Sequence, residues 1–261
     1  MIRSLWNGAA GMRAQSLKLD NIANNIANVN TPGFKKSRVT FADLVYQPLR
    51  EKGLPVKREN PTYLSPQIGV GSRVEGISRV FWQGNLMETG RELDLAISGK
   101  GFFRVELPSG EKAYTRVGSL EIDAEGYLVT AGGNRLSPAI RMPEGTTGVT
   151  ITREGEVLVT GAGGENRNIG RIKLYRFTNP AALKPLGKNL FTPTDAAGEV
   201  QEGNPGEDGF GTVQQGVLEG SNVQLAEEIT EMIIAQRAYE INARVVRTSD
   251  EMWALANNIR R

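Results

Sequence analysis

The stretch that most constrains this chain is its last forty residues. Ser221 to Arg261 contain no Pro and no Gly, so nothing interrupts a helix there. Ile234, Ala238, Ile241, Val245, Thr248, Met252, Leu255 and Ile259 follow one another at alternating steps of four and three. That is a heptad seam, apolar at seven of its eight positions. Such a seam demands an apolar neighbour. Ser221 and Gln224 stand at capping-box spacing, which predicts the start of the helix. Glu227, Glu228 and Glu231 near the start, with Arg244, Arg247, Arg260 and Arg261 toward the end, complement the helix dipole.

A second seam lies at the other end of the chain. Residues 2–29 place Ile2, Leu5, Ala9, Met12, Ser16, Leu19, Ala23 and Ile26 at the same alternation. This seam is narrower and richer in small residues. Gly8 and Gly11 each weaken a helix by about 1 kcal/mol relative to Ala, so they point to close helix contacts. Thr31-Pro32-Gly33 ends the helix, because Pro cannot continue it and Gly permits a turn. The two seams are expected to meet each other. Two helices alone leave much of each wet, so further copies of the chain are expected to complete the burial. The side chains assigned to subunit assembly are Ile2, Leu5, Met12, Leu19, Ile26, Ile234, Ile241, Val245, Met252, Leu255 and Ile259.

Between the helices the pattern changes. Phe41, Leu44, Val45 and Leu49 suggest a short helix, followed by Pro48, Pro55, Pro61 and Pro66 in an extended connection. Residues 67–200 alternate in short runs separated by glycine turns. Ile122–Thr130 (IDAEGYLVT) and Ile151–Thr160 (ITREGEVLVT) resemble each other, and both read as hairpins around an acidic-Gly turn. Residues 169–177 read as one later strand. Glycines at 203, 206, 209, 211, 216 and 220 return the chain to the terminal helix. The expected fold class is α+β: terminal helices paired in a coiled-coil-like layer, with a central antiparallel β domain. Its expected divisions are 1–30 with 222–261 as helical core, 31–66 with 201–221 as connections, and 67–200 as β domain.

Composition removes several chemistries. The chain has no Cys and no His, so thiolate nucleophiles, imidazole bases and His/Cys zinc sites are excluded. Its 31 basic and 29 acidic residues, net +2, lack the basic excess of a nucleic-acid binder, so no nucleic-acid partner is expected. MIRSLWNGAAGMRAQ lacks the apolar centre of a secretory signal, so export is expected to leave the first residues in place. Ser98-Gly99-Lys100-Gly101 lacks the Ser/Thr and the upstream Gly of a phosphate loop. Gly69-Val70-Gly71 lacks the third Gly of a dinucleotide site. The carboxylates Asp123 and Glu125 flank a turn, and Glu227 and Glu228 open a helix, which are solvated roles. No catalytic residue, cofactor or metal is expected.

Three stretches carry a family resemblance. Ile22–Lys35 (IANNIANVNTPGFK), Leu93–Val105 (LDLAISGKGFFRV) and Gln236–Met252 (QRAYEINARVVRTSDEM) resemble the signatures of bacterial flagellar rod and hook axial proteins. The length is similar to that of rod members with one middle domain, and the opening MIRSLWNGAAGM with the Pro-rich 46–66 segment resembles the distal part of the rod. The resemblance implies helical self-assembly around a central channel, with terminal helices inside and β domain outside. It implies export by the flagellar type III apparatus and a rigid, periplasm-crossing drive shaft turning inside a bushing. The implied neighbours are proximal rod proteins, the hook and its adaptor proteins, and the outer-membrane and peptidoglycan ring proteins. The Pro-rich segment is implied to pack against neighbours and favour a straight rod. A proximal rod or hook protein of the same family is the rival reading. A secreted β-domain enzyme acting on the cell wall is the rival from another class.

Overall fold

Helix α2 spans Leu225–Ile259 and helix α1 spans Ile2–Ala27. The computed structural model describes residues 2–48, 67–161 and 163–259. The start of α2 lies three residues beyond the first helical position that Ser221 as N-cap predicts. Ser221 Oγ accepts instead from the Val223 N–H at 3.2 Å, a local turn that competes with helix. Glu227 and Glu228 do occupy the first turn of α2, where carboxylates favour the dipole. Pro32 and Gly33 follow α1, and Gly33 takes φ +67°, a conformation that suits glycine.

The chain divides into two compact units. The first holds residues 1–24, 37–78 and 225–261. Within it α1 and α2 pair antiparallel: Ser4 Oγ lies 3.0 Å from Ser249 Oγ, and Lys18 Nζ donates to Glu231 Oε2 at 2.5 Å. Asp43 ends a strand begun at Ser37, which pairs with Ser72–Arg79. The short helix expected around Phe41 is therefore a strand. Its Arg-Val-Thr-Phe run is β-branched and aromatic and its exposure alternates, which a two-residue period satisfies and a helical one does not. Asn21 fixes this strand to α1, donating to the Ser37 carbonyl at 2.8 Å while accepting from Ser37 Oγ at 2.6 Å. Gln47–Pro48 pairs antiparallel with Gln67–Ile68. Most of the Pro-rich connection, residues 49–66, lies outside the described residues.

The second unit holds residues 25–36 and 79–224. Its seven-stranded sheet runs in the order Lys184–Gly187, Leu190–Thr192, Lys112–Thr115, Phe103–Glu106, Arg135–Ser137, Leu128–Thr130, Leu120–Ile122. Thr146–Ile151, Glu156–Gly161 and Asn166–Arg171 form a three-stranded sheet. Both expected hairpins are present and antiparallel, with Leu128 opposite Ile122 and Val157 opposite Ile151. Gly126 and Gly155 supply the positive φ that each tight turn needs. The single strand expected over 169–177 is two strands. Asn166–Arg171 pairs with Glu156–Gly161, and Leu174–Arg176 pairs with Gln201–Gly203, so neighbouring runs serve different sheets.

The glycine-rich return also contributes strands: Thr212–Gln215 pairs with Leu95–Ser98, and Val217–Glu219 with Leu86–Glu88. Glycine permits these close backbone approaches. A Cβ on Gly99 would sit 2.9 Å from Gly211 Cα, so the glycines of the SGKG turn serve chain packing.

Two cores fill this unit. Leu95, Ile97, Phe103, Val105, Leu128, Val157, Ile172, Leu174 and Val213 belong to an aliphatic cluster and are almost fully buried. Phe81, Phe102, Tyr114, Tyr175, Phe177 and Phe191 form an aromatic one, with edge-to-face ring pairs 4.8–6.5 Å apart. Arg79 stands over Phe34 and Phe191, and Arg104 over Tyr175 at 4.3 Å.

Candidate assembly surface

The face of α2 that meets α1 is not the seam found by periodicity. Ala235 and Ser249 are buried, with Glu228 beside them on that face, and Met232, Asn242 and Val246 are half-buried. These positions keep heptad spacing, with steps of three, four or seven, but they lie one residue from the seam, about 100° around the helix. On α1 the matching face is Ser4, Gly8, Gly11, Gln15, Lys18 and Ile22. Small residues let the two backbones approach. A Cβ on Gly8 would lie 2.7 Å from Val246 Cγ2, and one on Gly11 would lie 2.8 Å from Asn242 Nδ2. The two glycines therefore do mark close helix contacts.

Among the described residues, the apolar seam of α2 stays largely uncovered. Ile234 is 53% exposed, Ile241 61%, Val245 40%, Met252 43% and Leu255 64%. On α1, Leu5, Met12, Leu19 and Ile26 are half-buried. The side chains of Ile2 and Ile259 lie outside the described residues. The expectation that the two seams cover each other is thus corrected. The small-residue faces pack together, and the large apolar side chains of α2 point away. Sequence reading missed the packed faces because Ser, Gly, Ala and Asn carry little hydropathy signal. Their own four-three spacing, in both helices, was the signal available.

A second constellation was also missed. Lys35, Arg116 and Glu219 meet in the second unit, all buried. Lys35 Nζ donates to Glu219 Oε1 at 2.6 Å and to the Trp82 carbonyl at 2.7 Å. Arg116 Nη1 reaches Glu219 Oε2 at 3.3 Å, and its Nη2 donates to the Gly99 carbonyl at 2.8 Å. The Gly84 N–H adds a further donor to Glu219 Oε1 at 2.9 Å. Burial pushes the Lys35 ammonium below its ordinary pKa, and the charge of Glu219 opposes that shift. Burial lowers Arg116 in the same way, again opposed by Glu219. A pairing across 184 positions leaves no local cue in the sequence.

The carboxylates weighed for chemistry are turn-makers or helix-formers, but Glu228 is buried, which corrects the solvated role expected for it. Asp123 accepts the backbone N–H of Tyr127 at 2.7 Å and of Glu125 at 3.0 Å, and Arg135 pairs with both Asp123 and Glu125. The Tyr127 N–H is the main cause that holds the Asp123 carboxyl below its usual range.

Comparison with known proteins agrees with this geometry. Residues 5–35 match the family model described as flagella basal body rod protein. Residues 96–159 match the flagellar hook protein FlgE/F/G D1 domain, and 214–259 the flagellar basal body rod FlgEFG protein C-terminal. The flagellar basal-body rod protein FlgG of Borreliella burgdorferi is 45% identical over the whole of both chains. The Agrobacterium fabrum protein of that name is 42% identical over 98% of each chain, and that of Buchnera aphidicola from Acyrthosiphon pisum 44% over 97% of each. End-to-end identity at this level, joined to a helix pair at the termini and a β unit between, places this chain in the FlgG family of flagellar basal-body rod proteins.

Proposed function

We propose that the chain is a non-catalytic structural subunit of the distal rod. Copies assemble helically into a rigid tube that carries torque from the motor to the hook. The observation that carries this reading is the α2 seam: five large apolar residues, 40–64% exposed, in regular heptad spacing on a helix whose other face is already occupied. A soluble monomer gains nothing from such a stripe, whereas a neighbouring copy can bury it. The seam residues of both helices are proposed as the subunit contacts. The terminal helices, 1–30 with 222–261, would line the tube, and the β domain, 67–200, would face outward. Proximal rod proteins below, the hook and its adaptors above, and the surrounding ring proteins are the proposed neighbours. The flagellar type III apparatus is the proposed export route, without cleavage of the N-terminus.

The test is placement of the tagged full chain in isolated basal bodies. Labelling confined to the segment next to the hook agrees with this reading. Labelling in the hook, or in the rod next to the motor, would assign the chain to another branch of the family. Cleavage of purified cell wall by the full chain would overturn the structural reading altogether.

A further inference from the structure

We propose that Lys35, Glu219 and Arg116 form a latch that couples the seating of the N-terminal segment 31–36 to the seating of the return segment 217–222. Lys35 and Glu219 are 184 residues apart in sequence, yet both are fully buried and 2.6 Å apart. Neither can be buried alone at small cost, because an unpaired charge in a protein interior is heavily penalised. Removing segment 31–36 would leave Glu219 with Arg116 as its only ionic partner among the described residues. Removing the return strand would leave two cations with no carboxylate. Each segment therefore makes the other's burial possible.

The backbone repeats the coupling. The Gly33 N–H donates to the Glu219 carbonyl at 2.7 Å, and the Lys36 N–H donates to Asn222 Oδ1 at 2.7 Å. Asn222 Nδ2 in turn donates to the Val80 carbonyl at 2.8 Å, and Lys35 Nζ to that of Trp82. Two segments from opposite ends of the unit thus close over one stretch of backbone. Apolar side chains would tolerate sliding, whereas two cations and one carboxylate accept a single register. The aliphatic core needs none of these groups, so the body can form first and the latch close on it.

The test is amide hydrogen exchange on the full chain, comparing Lys35→Met, Glu219→Gln and Gly33→Ala with the parent. Gly33→Ala touches no charge but obstructs seating, since its Cβ would fall 2.6 Å from Val117 Cγ2. The latch predicts that Lys35→Met and Gly33→Ala each speed exchange by about tenfold or more in both 31–36 and 217–222, with strands at 103–136 still protected. Glu219→Gln leaves two cations facing no anion and should open both segments furthest. Should that variant fail to fold, the other two decide. Loosening of 31–36 with 217–222 at the parent rate would overturn the coupling. Loss of protection throughout the core in Lys35→Met would overturn it too, because a latch closes on a body already formed.

Discussion

Replacing Ile241 by Asp separates folding from assembly. Burying a whole isoleucine side chain is worth about 1.5–3 kcal/mol. Ile241 is 61% exposed in the single chain. A neighbour can therefore gain about 1–2 kcal/mol from covering the remainder. Asp forfeits that gain, and its carboxylate must be desolvated without a partner, at a cost of about 2–3 kcal/mol. The loss sums to about 3–5 kcal/mol per contact, or roughly a 100- to 3,000-fold higher concentration for polymerisation. The monomer should hardly notice, since exposed substitutions stay within about 0.5 kcal/mol. The assay is sedimentation across a concentration series, with helix content followed by far-ultraviolet circular dichroism. Ile122→Asp, at a position 45% exposed on the β unit, is the control expected to polymerise like the parent. Ala235→Asp is the opposite control: this position is fully buried, so helix content itself should fall. Polymerisation of Ile241→Asp at the parent concentration, with its helices intact, would refute the assignment of the exposed seam to the subunit contact.

The glycines of α1 should respond differently to the same substitution. Gly8→Ala meets the stiff β-branched Val246 at 2.7 Å, so overpacking should outweigh the propensity gain and cost about 1–2 kcal/mol. Gly11→Ala meets only the carboxamide end of Asn242, which can swing aside, so up to about 1 kcal/mol of helix propensity is kept. Exchange protection along α1 in the full chain checks both, and equal effects of one sign would contradict the geometry. A third expectation concerns acid. The folded Asp123 carboxyl lies below its unfolded value, so its contribution is complete above the unfolded pKa and is lost as pH falls through the folded one. The thermal midpoint gap between the parent and Asp123→Asn should hold steady above about pH 5 and shrink below about pH 4. A gap independent of pH would show that the carboxylate's charge contributes nothing to the turn.

The two hairpins and the paired terminal helices were legible because each rests on a local signal, either a glycine turn between alternating runs or a heptad spacing. The strand at 37–43 was harder. Its apolar residues lie close enough together to imitate one helical turn, and only its partner at 72–79 decides between the two periods. The Lys35–Glu219 pair was invisible for a different reason. Hydropathy scores a charge as a surface residue, and a pairing across 184 positions leaves no local pattern. The helix faces show the most general limit. Periodicity reports which side chains must leave water, without naming the neighbour that takes them in. In α2 two stripes with the same spacing run one residue apart. The weaker one, with Ala235, Asn242 and Ser249 beside Met232 and Val246, meets α1 because Gly8 and Gly11 leave room for Val246 and Asn242. The stronger stripe, with Ile241 and Leu255 more than half exposed, is then an unmet demand for burial. An apolar period that the described residues leave uncovered calls for a neighbour, which is why the proposed subunit contact rests on this stripe and not on the face that meets α1.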